Sequence, residues 1–209
     1  MEIPDIGAVE GWAGAAGELI LPNGSVGETT SMLAPPSTSK LVEPILLEGR
    51  WVMPGDDHAI VVNERYRETY PNLQVGDTVR IKINGKETDE MVVGFFQLAG
   101  RSGGYVAYTT YEYLSQLTNE VNRASNYRIQ AVRDNLTLEE QKALGQVIEA
   151  NLKERGFEVT EVTAGHSLTT TTADGLNILT TFLLIMGDAN QYQRFFASKS
   201  AKGAKSAVT

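Results

Sequence analysis

The sequence predicts an α+β fold of two lobes, one a sheet-plus-helix lobe with a β-α-β unit and the other an inserted β-rich lobe. Three observations predict it. Leu144, Val147, Ile148 and Leu152 recur at helical spacing between two short runs of alternating apolar residues. The middle of the chain alternates apolar and polar residues around Asn84-Gly85, a hairpin pair. Pro35-Pro36-Ser37-Thr38-Ser39 forbids regular structure and marks a crossing between the lobes. With 209 residues, 42% of them apolar, the chain can bury a sizeable core without staples.

In chain order, residues 8–33 read as two strands around Pro22-Asn23-Gly24-Ser25, a cluster whose Asn and Gly tolerate positive φ. The first strand is rich in small residues, and a lobe boundary falls near Pro44. Residues 59–62 form a short apolar strand, Asn63 is placed to cap a helix over 64–70, and Pro71 ends that helix. In residues 78–83, Val79, Ile81 and Ile83 share one face and Arg80 and Lys82 the other. A bare two-residue loop would then put Met91, Val93 and Phe95 on the wrong face. The parity therefore predicts a three-residue loop, Ile83-Asn84-Gly85, that pairs Val79 with Asp89.

Residues 105–108 form the next strand, and Thr109 with Glu112 reads as a capping box for a short helix through Tyr111, Leu114 and Leu117. Tyr127, Ile129 and Ala131 then alternate with polar residues. Thr137 with Glu140 is a second capping box, and its helix runs to Lys153, Arg155 and the stop at Gly156. A strand over 157–162 completes the β-α-β unit. Leu176, Leu179, Leu183 and Met186 recur at spacings of three and four, which predicts a helix within 168–186. Residues 197–209 lack periodicity and read as a disordered tail.

Composition excludes several functions. There are 26 acidic against 18 basic side chains, a net charge of -8, so the Lys/Arg surface that dominates nucleic-acid affinity is missing. The absence of cysteine removes thiolate zinc sites, disulfides and Cys nucleophiles. Met1 is followed by Glu2, Pro4 and Asp5, which is not the pattern of a secretory leader. The most apolar window, residues 176–186, is about half of the roughly 20 residues that cross a bilayer.

Candidate chemical groups are sparse. His58 and His166 fall in different lobes, and neither has a second histidine at helical ligand spacing. Pro54-Gly55-Asp56-Asp57 beside His58 reads as a turn whose side chains hold their own backbone, and His166 as a loop residue near the threonine run 169–172. No Gly-x-Ser-x-Gly elbow is present, and Gly100-Arg101-Ser102-Gly103-Gly104 lacks the Walker lysine. Glu139-Glu140 suits the first turn of a helix. Asn23-Gly24-Ser25 and Asn135-Leu136-Thr137 match the glycosylation pattern but already have turn and helix-entry roles. Tyr105, Tyr108, Tyr111 and Tyr113 form the densest aromatic cluster, with alternation dividing it between core and surface. The expectation is no catalytic residue, no cofactor and no metal.

Glu48-Gly49-Arg50-Trp51, then Val75-Gly76-Asp77-Thr78-Val79 with Val92-Val93-Gly94-Phe95, and finally the apolar run 176–187 follow one another in an order that resembles the MacB-like core domain of FtsX-like and macrolide-exporter-type ABC transporter permeases. That resemblance implies an extracytoplasmic domain of an integral membrane permease subunit. Its partners would be a second permease subunit, cytoplasmic ATP-binding subunits and an extracytoplasmic adaptor or substrate protein. Domain assignments follow: residues 1–45 and 122–175 as the membrane-proximal lobe, 46–121 as the inserted lobe, 176–187 as the start of a truncated transmembrane helix and 188–209 as a tail. The chain would be an excised domain, and Trp51 a core anchor whose loss costs roughly 3–5 kcal/mol. A free-standing α+β ligand- or peptide-binding module, resting on the tyrosine cluster, is the alternative, with a hydrolase behind it.

Overall fold

The computed structural model describes residues 5–42, 44–97, 104–133, 136–164 and 182–187. The chain divides into two compact units, whose described residues fall within 12–121 for one and within 5–11, 122–164 and 182–187 for the other. The fold is α+β, with a mixed sheet and few helices among the described residues.

The larger unit is a closed barrel. Its strands are β1 (Ile6–Ile20, which enters this unit at Trp12), β2 (Val26–Ala34), β4 (Ala59–Asn63), β5 (Thr78–Ile83), β6 (Lys86–Phe96) and β7 (Tyr105–Tyr108), while β3 (Leu46–Gly49) pairs with β6 from outside the ring. The order β2-β7-β4-β6-β5-β1 closes because β1 also pairs with β2. Closure leaves no open edge within the ring. The β2–β7 and β4–β6 pairs are parallel, and the others in the ring antiparallel.

Small residues on β1 make the closure possible. Ala13, Ala15, Gly17 and Leu19 fall at alternate positions, and a Cβ at Gly17 would stand 2.6 Å from Ile81 Cγ2. Leu19, Met32, Ile60, Val62, Val79, Ile81, Ile83, Val92, Phe95 and Ala107 share a core, which Tyr66 of α1 (Tyr66–Thr69) and Leu114 of α2 (Tyr111–Leu117) complete. Val52, Ala59, Val61, Val93 and Phe96 form a second cluster, with Trp51, Val106 and Tyr108 packed against it. Both faces of β4 are thereby buried.

The β5–β6 hairpin corrects one expectation. Ile83 pairs with Lys86 and Val79 with Glu90, so the loop is the two-residue Asn84-Gly85 turn, with φ of 49° and 80°. The parity argument failed at a bulge. Along β4, Ile60 pairs with Val92 but Val61 with Gly94, so Val93 is the extra residue and the strand changes phase there. Thr88, Glu90 and Val92 are buried before it, and Phe95 joins the same core as Val92 after it.

Two helix starts also differ. Asn63 caps no helix; it is the buried end of β4, its Nδ2 donating to the Gly104 carbonyl at 2.9 Å and its Oδ1 accepting from the Val106 N–H at 3.3 Å. The cap of α2 is Thr110, not Thr109, because Thr109 Oγ1 is committed to the Ala59 carbonyl and Glu112 accepts from Ser37.

In the smaller unit the order is β1-β8-β10-β9, with β8 Asn126–Ala131, β9 Val159–Ala164 and β10 Phe182–Gly187. Helix α3, Leu138–Glu154, begins at the Thr137/Glu140 capping box as expected and is followed by Gly156 at φ 82°. Leu144, Ile148 and Leu152 are buried against Tyr127, Ile129 and Ala131, while Val147 lies on the exposed side of α3. Strands β8 and β9 both run antiparallel to β10, so the β-α-β unit is split by an inserted strand.

That strand replaces an expected helix. Residues 182–187 are β10, and a short apolar run is one that periodicity cannot assign between buried strand and helix. No helix among the described residues is long and apolar enough to cross a membrane. Residues 176–181 and 188–209 lie outside the described residues. Ala13 to Ile20 of β1 pair with β2 and, in part, with β5 inside the barrel.

Candidate functional site

The stretch Glu48-Gly49-Arg50-Trp51 clamps β3 and the following turn to the barrel at the β6 bulge. Gly49 has φ 75°, and a Cβ on it would lie 2.3 Å from the Val93 carbonyl oxygen; one on Gly94 would lie 2.4 Å from the Arg50 oxygen. Only glycines permit this backbone approach. Arg50 N–H donates to Val93 O at 2.9 Å, and its guanidinium grips both oxygens of Asp56 at 2.6 and 2.9 Å. Asp56 also accepts from the Met53 N–H at 2.8 Å, so the expected self-held turn is present. That donor set holds its carboxyl below the ordinary range, the Arg50 hydrogen bonds contributing most. Glu48 accepts from Arg67 at 2.8 Å, and Arg67 lies 3.9 Å over the Phe95 ring.

Trp51 is half-buried, its ring 5.0 Å from that of Tyr108. The fully buried indole is Trp12, whose ring centroid lies 6.3 Å from that of Tyr108. The tyrosines do not line one concave site. Tyr105 belongs to the barrel core, Tyr108 to the cluster with Trp51, and Tyr113 to a polar group around Glu90.

In this polar group a carboxyl, a phenol and an imidazole converge at the barrel wall. Glu90 sits on β6 with 0% of its surface exposed. Its Oε1 accepts from the Tyr113 hydroxyl at 2.5 Å and from Thr88 Oγ1 at 3.0 Å, whereas its Oε2 is buried with no hydrogen-bond partner among the described residues. His58 Nδ1 lies 3.0 Å from Tyr113 Oη, 3.2 Å from Thr88 Oγ1 and 3.8 Å from Glu90 Oε1. The imidazole side chain is 58% exposed, so a hydrogen-bonded path leads from solvent to a buried carboxyl.

Local structure fixes each member. Thr110 accepts the Tyr113 N–H and starts α2 so that Tyr113 faces the wall. His58 has φ 49°, and its carbonyl accepts the Met91 N–H at 2.7 Å, which ties it beside Glu90. Burial is the main cause that raises the Glu90 carboxyl above its ordinary range, against the hydrogen bonds from Tyr113 and Thr88. Tyr113 is raised as well, by burial first and by its bond to Glu90. Thr88 and His58 stand at nucleophile-to-base distance, yet Thr88 is buried and its hydroxyl donates to Glu90, so that hydroxyl is not presented to a substrate as a nucleophile.

Sequence reasoning placed His58 in a turn and did not find Glu90. A carboxylate one position before an apolar run reads as the solvent face of a strand until the bulge at Val93 is known. His166, the threonine run 169–172, Asn135 and the glycine stretch 100–103 lie outside the described residues.

No protein-family model and no curated protein matches the chain. Solved structures do. The extracellular domain of the noncanonic ABC-type transporter YknZ from Gram-positive bacteria superposes with a TM-score of 0.51 at 14% identity, over 74% of this chain and 79% of that one. The periplasmic region of MacB from Actinobacillus actinomycetemcomitans gives 0.49 at 17% identity, over 82% and 78%. A domain of a putative permease protein from Porphyromonas gingivalis gives 0.45 at 12%, over 89% and 76%. The fold of this chain is therefore that of the extracellular domain of an ABC-type transporter, in agreement with the resemblance carried by Glu48-Gly49-Arg50-Trp51 and the hairpin that follows.

Proposed function

We propose that the chain is the extracytoplasmic domain of an ABC transporter permease subunit, which couples ATP hydrolysis in separate cytoplasmic subunits to export or extraction of a substrate and to partner proteins outside the membrane. The observation that carries this is the fold shared with the extracellular domain of YknZ over 74% of the chain. The order of short motifs along residues 48–95 supports it independently of the coordinates. In this reading the Glu48-to-Trp51 clamp is structural, since its side chains are engaged with Arg67, Asp56 and Tyr108. Catalysis belongs to the ATP-binding subunits. The free-standing binding module loses its main support, because the tyrosines it needs are spread over different surroundings.

The test uses the natural protein in its own cells. An antibody against the barrel should find it in the membrane fraction, protease added outside intact spheroplasts should cleave it, and an ATP-binding subunit should co-purify in mild detergent. Recovery of the natural protein in the cytosol, protected from that protease, would overturn the reading.

A further inference from the structure

The β1–β2 hairpin carries a motif that the fold likeness does not use. Asn23-Gly24-Ser25 and Asn135-Leu136-Thr137 both match Asn-x-Ser/Thr, the pattern in which an asparagine amide accepts a carbohydrate. Their surroundings separate the two. Leu136 is buried in the core of the smaller unit, and the Thr137 hydroxyl is committed to α3, donating to Glu140 Oε2 at 2.9 Å and accepting the Glu140 N–H at 3.3 Å. That tripeptide cannot enter a transferase without drawing Leu136 out of the core and opening the capping box.

Neither constraint holds at the hairpin. Residues 22–26 are all exposed, and a Cβ on Gly24 would meet nothing within 4 Å. The turn closes behind the motif through two backbone bonds, the Leu21 N–H donating to the Ser25 carbonyl at 2.9 Å and the Gly24 N–H to the Leu21 carbonyl at 2.8 Å. Both Ser25 donors reach one atom, its N–H at 3.0 Å and its hydroxyl at 2.7 Å from Asn23 Oδ1. Two donors on the amide oxygen draw electron density from the amide and make the Nδ2 hydrogens more acidic, while among the described residues nothing accepts from Nδ2.

We propose that Asn23, and not Asn135, is an N-glycosylation site, which rests on the extracytoplasmic placement proposed above because lipid-linked oligosaccharide is transferred on that face of the membrane. The donor is an oligosaccharide carried on a polyprenyl phosphate or diphosphate, and the catalyst is a membrane transferase. Asn23 Nδ2 attacks the anomeric carbon of the first sugar. The carbon–nitrogen bond forms, the bond from that carbon to the phosphate oxygen breaks with its electron pair leaving on the phosphate, and Nδ2 gives up one proton. Nothing is oxidised or reduced. Ser25 is the positioning residue, since its hydroxyl holds the amide by its oxygen.

The test uses the natural protein purified from its own cells, beside Ser25→Ala and Ser25→Thr made in the same cells. Peptides over residues 21–30 and 132–140 are read by mass spectrometry with electron-transfer fragmentation, and each preparation is checked for cleavage by protease added outside intact spheroplasts. The 21–30 peptide should carry a sugar adduct localised to Asn23, the adduct should be lost in Ser25→Ala and kept in Ser25→Thr, and Asn135 should be bare. Ser25 is exposed and its side chain bonds within the turn, so Ser25→Ala should keep the wild-type urea midpoint and the lost adduct then reports the motif instead of folding. A bare Asn23 in protein that the outside protease cleaves would overturn the site and leave the transporter reading standing, whereas protein found in the cytosol would overturn both. An adduct on Asn135, or one on Asn23 that survives Ser25→Ala, would likewise overturn the selection of Asn23 by its turn.

Discussion

Gly49 concentrates a backbone demand that no other residue type meets, since it combines a positive φ with a carbonyl oxygen where a side chain would begin. Gly49→Ala therefore adds left-handed strain to a steric clash and should destabilise the chain by roughly 2–4 kcal/mol, read as a lower urea midpoint with unchanged slope. The two indoles separate in the same experiment. Trp12→Ala should cost roughly 3–5 kcal/mol because the residue is fully buried, and Trp51→Ala about half of that, because the residue is only half-buried. Equal costs would show that the Trp51 ring is as deeply packed as Trp12. The sequence marks Gly49 and Trp51 through their setting between an acidic residue and an apolar run, but it gives Trp12 no such setting among small residues. What hides Trp12 and Glu90 is the same physics: their burial depends on strands far away in the chain.

Single elements were legible where the signal is local and obscure where one residue alters a period. The Thr137/Glu140 box acts within four residues, and the helix it begins is present with the reciprocal bonds intact. Thr137→Ala removes the acceptor for the Glu140 N–H and should cost about 1 kcal/mol, measured by chemical denaturation and accompanied by faster exchange in the first turn of α3. An unchanged midpoint would mean that packing of Leu144 and Ile148 alone holds the helix start. The β5–β6 hairpin shows the opposite case. Its Asn84-Gly85 turn follows the ordinary rule, yet the rule appeared to fail because one bulge at Val93 reverses the phase of all that follows it. A bulge has no residue signature of its own, so alternation read through it assigns Thr88 and Glu90 to the wrong face.

The α+β class follows from patterning alone, whereas the closed ring and the split β-α-β unit depend on which strands meet, and strand partners leave little trace in one sequence. The segment 182–187 makes the point sharply. Its apolar residues satisfy helical spacing, but between β8 and β9 a strand satisfies hydrogen bonds on both edges, and a helix would leave those two neighbours without the strand that joins them. This arrangement has a measurable consequence. Leu184 pairs with Arg128 on one side and Thr163 on the other, so Leu184→Pro removes a ladder donor from an inner strand and should cost about 3 kcal/mol or more. Amide exchange should then quicken at Tyr127, Ile129 and Gln130 in β8 and at Val162 and Thr163 in β9, while the barrel strands β4, β5 and β6 keep their protection, because the barrel closes through its own pairs. If β8 and β9 stayed as protected as before, β10 would not be the strand between them, and a helical continuation of the chain at residue 182 would return as the better account of its apolar run.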